Sequence, residues 1–188
     1  PAELMGLNEK NFKKFNYLIK NKKFLENLII NVENIIHYVK KNKKNSIILN
    51  YDESSENFFK WYQQLTAESL GKKSKGITPI ISSMPKDNHS LLQLYLDGPK
   101  NCFFTFFNVT SKTSNKQSNK FILDDKKYLK NKNLSEILEA QEKSTQNIFR
   151  KKNIPFRSFN IKKKDENTLG ELFCFCVLET KTANNRQT

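Results

Sequence analysis

The sequence is poor in the residues that most often build metal, redox and nucleic-acid sites. It has two histidines, three cysteines and, among 33 basic residues, only three arginines. Two distant histidines are too few to form a metal site with these cysteines, which lack zinc-finger or redox spacing. We therefore predict no metal site, and we interpret the cysteines as reduced, buried thiols of a cytoplasmic protein. The residues are His37, His89, Cys102, Cys174 and Cys176.

The scarcity of arginine also bears on the net charge of +14. Such a charge is compatible with nucleic-acid binding, and that alternative predicts an affinity that falls steeply with salt. Arginine is the usual reader of phosphates and guanine edges, whereas here lysine is spread along the whole chain and mixed with asparagine. We interpret the charge as a solvated surface and predict no nucleic-acid partner.

Long apolar runs are absent too. No run approaches the roughly 20 residues that a membrane-spanning helix needs, so we predict no membrane association. No signal peptide is visible, and the chain opens with Pro1 instead of methionine, which suggests a piece of something longer.

What the sequence does contain is an alternation of helical and strand patterns. Strands separated by helices of this length predict an α/β fold, a three-layer sandwich with a mainly parallel sheet flanked by helices. Ligands on such sheets usually bind beyond the carboxyl ends of the strands. We predict helices at 24–41, 56–72, 90–96, 134–152 and from 168 to 179, strands at 46–51, 77–82, 101–109 and 155–161, and a polar loop at 111–120.

Two segments in the last third carry more specific expectations. The helix at 134–152 is amphipathic through an apolar stripe of Leu134, Ile137, Leu138 and Ile148. The segment 181–188 turns polar in the middle of a helical pattern, without a cap or turn signal. We therefore divide the chain into a domain at 1–180 and a polar tail at 181–188.

Glu68 is the first candidate for chemistry. It lies on the predicted helix at 56–72, on one face with Trp61 and Leu65. A carboxylate in this position is either a surface group, which is the commoner case, or a buried functional one. If Glu68 is buried, its pKa should rise toward neutrality, which suits a general base.

His89 is the second candidate. Asp87 or Asn88 is a suitable N-cap, which would place His89 in the first turn of the helix at 90–96. The positive end of a helix favours a neutral imidazole, and a neutral ring can both accept and donate a proton. The alternative is an exposed histidine at a helix start without a function.

The two candidates occur in two motifs with a defined spacing. Glu68-Ser69-Leu70-Gly71-Lys72 is followed, about 20 residues later, by His89-Ser90-Leu91-Leu92-Gln93-Leu94. In order, residue type and spacing these motifs resemble the second sugar-isomerase (SIS) domain of the glucose-6-phosphate isomerases, and the bacterial branch most closely. A weaker third element runs from Leu169-Gly170 to Glu179, so the resemblance covers roughly residues 1–179.

The resemblance implies an aldose–ketose isomerase that interconverts glucose 6-phosphate and fructose 6-phosphate in glycolysis and gluconeogenesis. It implies a flavodoxin-like SIS fold, no cofactor (neither a metal nor a nucleotide), and a homodimer in which the histidine reaches the neighbouring subunit. By the same resemblance, His89 opens the sugar ring and Glu68 moves a proton between carbons 2 and 1 through a cis-enediol. Gln93 and Lys72 are expected to support that site.

The resemblance also predicts what this chain lacks. The family's phosphate-binding loop, an arginine that stabilises the enediolate and a C-terminal lysine segment have no counterpart in these 188 residues. We therefore expect an incomplete site with little or no activity alone, and a phosphate site outside the chain. The alternative is a non-catalytic SIS module that binds a phosphosugar.

Overall fold

The structure, a computed structural model, describes residues 3–72, 74–110 and 132–187. Six α-helices occur in these ranges: α1 (Glu9–Phe12), α2 (Lys22–Lys40), α3 (Glu56–Leu70), α4 (Leu92–Asp97), α5 (Leu134–Lys151) and α6 (Glu166–Gln187). Four strands accompany them: β1 (Asn45–Asn50), β2 (Thr78–Ser83), β3 (Cys102–Val109) and β4 (Phe156–Ile161). The predicted loop at 111–120 lies outside the described residues.

The four strands form one parallel sheet in the order β2-β1-β3-β4. The chain moves from β1 to β2 in one direction and from β2 back across β1 to β3 in the other. Because parallel crossovers keep one hand, the connecting helices lie on opposite faces of the sheet. The predicted three-layer α/β sandwich with a parallel, flavodoxin-like sheet is therefore confirmed.

Alternating side chains in the central strands supply both layers of the core. Ile47, Phe104 and Phe106 pack with Phe149 of α5 and Tyr95 of α4 on one face. On the other face, Ile48 and Phe107 pack against α3 and α6, with the buried residues Phe58, Phe59, Tyr62, Leu172 and Cys176. The near-continuous apolar runs of β1 and β3 thus reflect strands that are covered on both faces.

The rotation of α5 differs from the prediction. Leu134 is 54% exposed and Ile148 is 38% exposed, although both belong to the predicted apolar stripe. Phe149 is fully buried between the rings of Phe104, Phe106 and Phe156, and this contact sets the face that α5 turns to the sheet. The residues three, four and seven positions earlier, which are Gln146, Thr145 and Glu142, are consequently buried although they are polar.

Helix α6 runs through the predicted boundary at residue 180. It continues to Gln187, with Ala183 buried against α2 and Arg186 donating a 2.7 Å hydrogen bond to Glu33 of α2. Near its start, a Cβ at Gly170 would lie 2.0 Å from the carbonyl oxygen of Phe12. Only glycine therefore allows the residues around α1 to pack this closely on α6. No helix in the described ranges is long and apolar enough to cross a membrane.

A buried ion pair ties the helical layer of α2, α3 and α6 to the sheet. The Glu179 carboxylate on α6 is 2% exposed and forms a salt bridge with Arg157 of β4. It also accepts hydrogen bonds from Asn31 of α2 and, at 2.5 Å, from the Tyr62 hydroxyl of α3. Arg157 additionally donates to Thr105 of β3 at 2.9 Å. Burial and the neighbouring Glu179 raise the pKa of Tyr62 well above its usual value, so its hydroxyl remains a donor.

Removing one partner of this pair should be costly. We expect Glu179→Ala to lower the free energy of unfolding by about 3–5 kcal/mol, because it leaves the Arg157 charge buried without compensation. Glu33→Ala is the matched control: it breaks the exposed Arg186–Glu33 pair between α2 and α6 and should cost less than about 1 kcal/mol. Urea unfolding of the two variants tests this, and equal losses would contradict the assignment.

Candidate functional site

Glu68 lies in the last turn of α3, at the edge of the sheet where strands β2 and β3 begin. The helix starts beyond the carboxyl end of β1 and ends at Leu70, which packs with Ile77 and Phe103 just before or at the start of those strands. Trp61 and Leu65, on the same face as Glu68, are half-buried, but Glu68 itself is exposed. Its Oε1 accepts a 2.8 Å hydrogen bond from Gln64 Nε2, one turn earlier.

The Glu68 carboxylate is therefore open to solvent in this chain and is not buried. Helix α3 ends at Leu70, and Gly71 follows as the C-cap residue, where a Cβ would approach the Ala67 carbonyl oxygen to 2.5 Å. Glycine is required at this position to let the chain leave the helix tightly. Lys72 follows and is also exposed.

His89 lies at the opposite edge of the sheet. Strand β2 ends at Ser83, a 3₁₀ turn runs over Lys86–Asn88, and His89 closes that turn with its side chain exposed. Helix α4 begins only at Leu92, so the prediction that His89 occupies the first turn of a helix is wrong. The argument from the helix dipole does not apply, because His89 lies three residues before the first residue of α4. Asp87 does not cap α4 either; its side chain binds back to β2.

Gln93 lies one turn beyond His89, in α4. Its side chain is exposed, and Nε2 donates a 2.9 Å hydrogen bond to Asp97 Oδ2. The four predicted residues therefore lie at two places. Glu68 and Lys72 lie at the edge where β2 begins, and His89 and Gln93 lie at the edge where β2 ends. Strand β2, with six residues at about 3.3 Å each, separates the two edges by roughly 20 Å.

A buried polar cluster at the carboxyl edge of the central strands escaped the sequence analysis. Glu142 of α5 is 2% exposed and accepts hydrogen bonds from Asn108 of β3 and Gln146, each at 2.8 Å. The Tyr51 hydroxyl, directly after β1, donates to Thr145 Oγ1 at 3.3 Å. The sequence does contain a signal for this cluster, because Glu142, Thr145 and Gln146 share a helical face with Phe149. The predicted apolar stripe followed the aliphatic residues instead, which lie on another face of the helix.

Burial governs the protonation of this cluster. It raises the pKa of the Glu142 carboxyl above its usual value, although the hydrogen bonds from Asn108 and Gln146 oppose the change. Burial also raises the pKa of Tyr51 to about 12, so that its hydroxyl stays protonated. The cluster borders an open groove of about 730 Å³ between the turn that carries His89 and the aliphatic residues of α5, with Asn88, Leu92, Ile137, Thr145 and Ile148 among its walls.

Comparison with known proteins gives a consistent set of relatives. The chain is 34% identical over 157 residues to the glucose-6-phosphate isomerase of Methanocaldococcus jannaschii, with 82% of this chain and 38% of that protein covered. It is 36% identical over 157 residues to that of Campylobacter jejuni (78% and 37% covered) and 35% identical over 144 residues to that of Mycoplasmopsis synoviae (74% and 34% covered). No family model matches the chain.

Among solved structures, a hypothetical protein from Thermus thermophilus superimposes with a TM-score of 0.80 at 20% identity, covering 93% of this chain and 44% of that one. At this identity the match supports the fold alone. The sequence matches confirm the resemblance predicted from the two motifs. They also show that the chain spans a little more than a third of the length of these curated relatives.

The raised pKa of Glu142 predicts a specific pH dependence. The folded protein holds this proton to a higher pH than the unfolded chain does, so the stabilisation is complete below the unfolded pKa and is lost as pH rises through the folded one. Relative to Glu142→Gln, the free energy of unfolding of the unmodified protein should therefore decline from about pH 4 upward.

Asp52→Asn is a control of opposite sign. Burial raises the pKa of Asp52, but hydrogen bonds from Lys164, Ser55 and Ser54 outweigh it and leave the pKa lowered. Relative to this variant, the unmodified protein should lose stability as pH falls below about 4. Urea unfolding from pH 3 to 7 measures both differences, and parallel curves for the unmodified protein and Glu142→Gln would contradict the assignment.

Proposed function

We propose that this chain, a homologue of the glucose-6-phosphate isomerases, forms the part of an aldose–ketose isomerase that carries its base and its ring-opening group. The substrates would be glucose 6-phosphate and fructose 6-phosphate. The observation that carries the proposal is the pair of motifs around Glu68 and His89. They occur in the family's order and spacing within a chain that is 30–37% identical to such enzymes. A non-catalytic phosphosugar module does not need both groups.

Glu68 is suited to the proton transfer between carbons. The reaction needs one carboxylate that takes a proton from carbon 2 of the open-chain aldose and returns it to carbon 1 of the cis-enediol, while a hydroxyl proton moves between the two oxygens. The exposed carboxylate at the end of α3 is accessible to a ligand, and Gln64 restrains its orientation through the 2.8 Å hydrogen bond. Lys72, four residues later at the same edge, would support this half of the site.

His89 is suited to ring opening. This step delivers a proton to the ring oxygen and removes one from the anomeric hydroxyl, and an imidazole can perform both tasks. The exposed position of His89 at the end of a short turn lets it reach a ligand beyond its own chain. Gln93, one turn further along the same surface, would support this second half.

The separation of these two halves supports a shared active site. Glu68 and His89 of one chain lie at opposite edges of the sheet, roughly 20 Å apart along β2, which is too far for both to act on one sugar. A homodimer in which His89 of one copy meets Glu68 of the other would complete the site. Such an arrangement makes the same surface contribute twice, as a two-fold interface requires.

The remaining groups are proposed to lie elsewhere. The chain spans a little more than a third of the length of the curated relatives named above, and the phosphate-binding groups and charge-stabilising arginine of the family are expected outside it. Because one preorganised donor can contribute about 3 kcal/mol to transition-state stabilisation, the chain alone should turn over very slowly. We expect the complete enzyme to be cytoplasmic.

The base assignment is tested in a complete enzyme that contains this chain. We would insert it in place of the segment it matches in the Methanocaldococcus jannaschii isomerase and measure glucose 6-phosphate formation from fructose 6-phosphate by a coupled dehydrogenase. Glu68→Gln should lower kcat by about 10²- to 10⁴-fold, because it removes a general base. Glu56→Gln, in the first turn of the same helix and far from Glu68, is the control and should leave kcat unchanged. An active Glu68→Gln enzyme would contradict the proposal.

The unmodified chain gives the complementary measurement. We call the Methanocaldococcus jannaschii isomerase that carries this chain the fusion enzyme. In the same assay, the purified chain should show at most a small fraction of the turnover of the fusion enzyme. Turnover near that of the fusion would show that these residues already hold a whole site, and the proposed location of the phosphate-binding groups would be wrong.

Subunit mixing tests the shared site. Glu68→Gln and His89→Gln fusions should each be inactive, but a mixture unfolded and refolded together should recover about a quarter of the unmodified activity. Half of the dimers are then hybrids, and each hybrid has one site with both groups intact. No recovery from a mixture whose subunits exchange would mean that Glu68 and His89 do not act across an interface.

A further inference from the structure

The turn that presents His89 is short and held from both sides. It connects the end of β2 to α4, and none of its residues belongs to a regular helix or strand apart from the 3₁₀ turn Lys86–Asn88. His89 is exposed, so packing around its own side chain does not hold it in place. Whatever fixes the imidazole must therefore act through the backbone of this turn.

Asp87 supplies the fixed points. Its Oδ2 accepts a 2.7 Å hydrogen bond from the backbone N–H of Ser83 and a 3.0 Å hydrogen bond from the Ser82 hydroxyl. Its backbone carbonyl oxygen accepts a 2.8 Å hydrogen bond from the N–H of Leu91. One residue thus binds the last residues of β2 through its side chain and the segment before α4 through its main chain, with His89 between the two.

The anchor at the β2 end belongs to the sheet. Ser82 is fully buried in the sheet, and Ser83 pairs with Asn50 of the central strand β1. Hydrogen bonds to a carboxylate are shorter and stronger than those to neutral acceptors, which matches the 2.7 Å contact. These hydrogen bonds therefore fix the position of the turn relative to the sheet.

We propose that Asp87 is a positioning residue for the ring-opening reaction: by binding Ser82 and Ser83 it holds the turn in the geometry that aims His89 at the sugar ring. This proposal rests on the proposed function, because it takes His89 as the ring-opening group. Asp87 itself touches no substrate, and it acts only through the placement of His89.

Two substrates separate positioning from a general loss of structure. Fructose 6-phosphate closes a ring through its 5-hydroxyl, whereas the 5-deoxy analogue cannot close that ring and reaches the enzyme already open. The transfer by Glu68 is common to both substrates, and ring opening is needed only for the first. The ratio of their kcat values therefore reports on His89 and is insensitive to a uniform loss of active enzyme.

In the fusion enzyme, Asp87→Ala should lower kcat for fructose 6-phosphate by about tenfold or more, since two hydrogen bonds that orient the turn are lost. It should leave kcat for the 5-deoxy analogue unchanged within about twofold. Asp87→Asn keeps an acceptor oxygen and should lie between the two. Asp165→Ala is the control: that carboxylate accepts a 3.0 Å hydrogen bond from Thr168 N–H at the start of α6, and its loss should not change the ratio.

A measurement on the isolated 188-residue chain requires no activity. Asp87→Ala should speed amide exchange of Ser83 by about tenfold or more, because that N–H loses its acceptor, and should increase the mobility of the His89 ring. His37 of α2 is the one other histidine of the chain and serves as an internal reference whose mobility should not change.

The outcomes are distinguishable. Equal losses on both substrates in Asp87→Ala would show that Asp87 supports the fold and would overturn the proposal, as would unchanged Ser83 exchange and His89 mobility. His89→Gln provides the reference: it should reproduce the selective loss on the ring-forming substrate. If it does not, the ring-opening role of His89 fails and this proposal with it, whereas an active Glu68→Gln enzyme would contradict the base assignment separately.

Discussion

The packing of the helical layer depends on one carboxylate. Glu179 is nearly inaccessible to solvent, and it joins α6 to β4 through Arg157, to α3 through Tyr62 and to α2 through Asn31. A charge can be buried at this depth only when its partners satisfy it, so the positions of these four elements are mutually constrained. Because α3 is one of them, the same constraint fixes the helix that carries Glu68 in its last turn.

The topology of the sheet then determines how the chemistry is divided. A helix that connects parallel strands starts at their carboxyl edge and returns to their amino edge, which carries Glu68 away from the loops that follow the strands. His89 follows β2 directly and remains at the carboxyl edge. In the function that we propose, one chain therefore offers two half-sites that face different directions. An enzyme built on them would need further copies or domains, and the relatives are more than twice as long as this chain.

Much of the fold followed from local patterns. The four strands and the helices α2 to α5 lie within a few residues of their predicted bounds, because apolar periodicity reflects which side of each element is covered. Helix α1 was not predicted, and α6 continues beyond its predicted end to Gln187. The prediction failed where a polar residue was buried or a turn was irregular. On α5, Phe149 decided the rotation and brought Glu142 into the core, while Leu134 and Ile148 remained exposed. After β2, a 3₁₀ turn precedes α4, which begins only at Leu92, so that His89 lies outside the helix.

The sequence by itself determined the class of fold, the family resemblance and the identity of the residues with suitable chemistry. These depend on local periodicity and on the spacing of Glu68 and His89 along the chain. Only the tertiary structure decided that the two lie at opposite edges of the sheet and that the Asp87 carboxylate binds the end of β2. Both depend on the direction in which a helix crosses the sheet and on contacts between separate elements, which no spacing along the chain encodes.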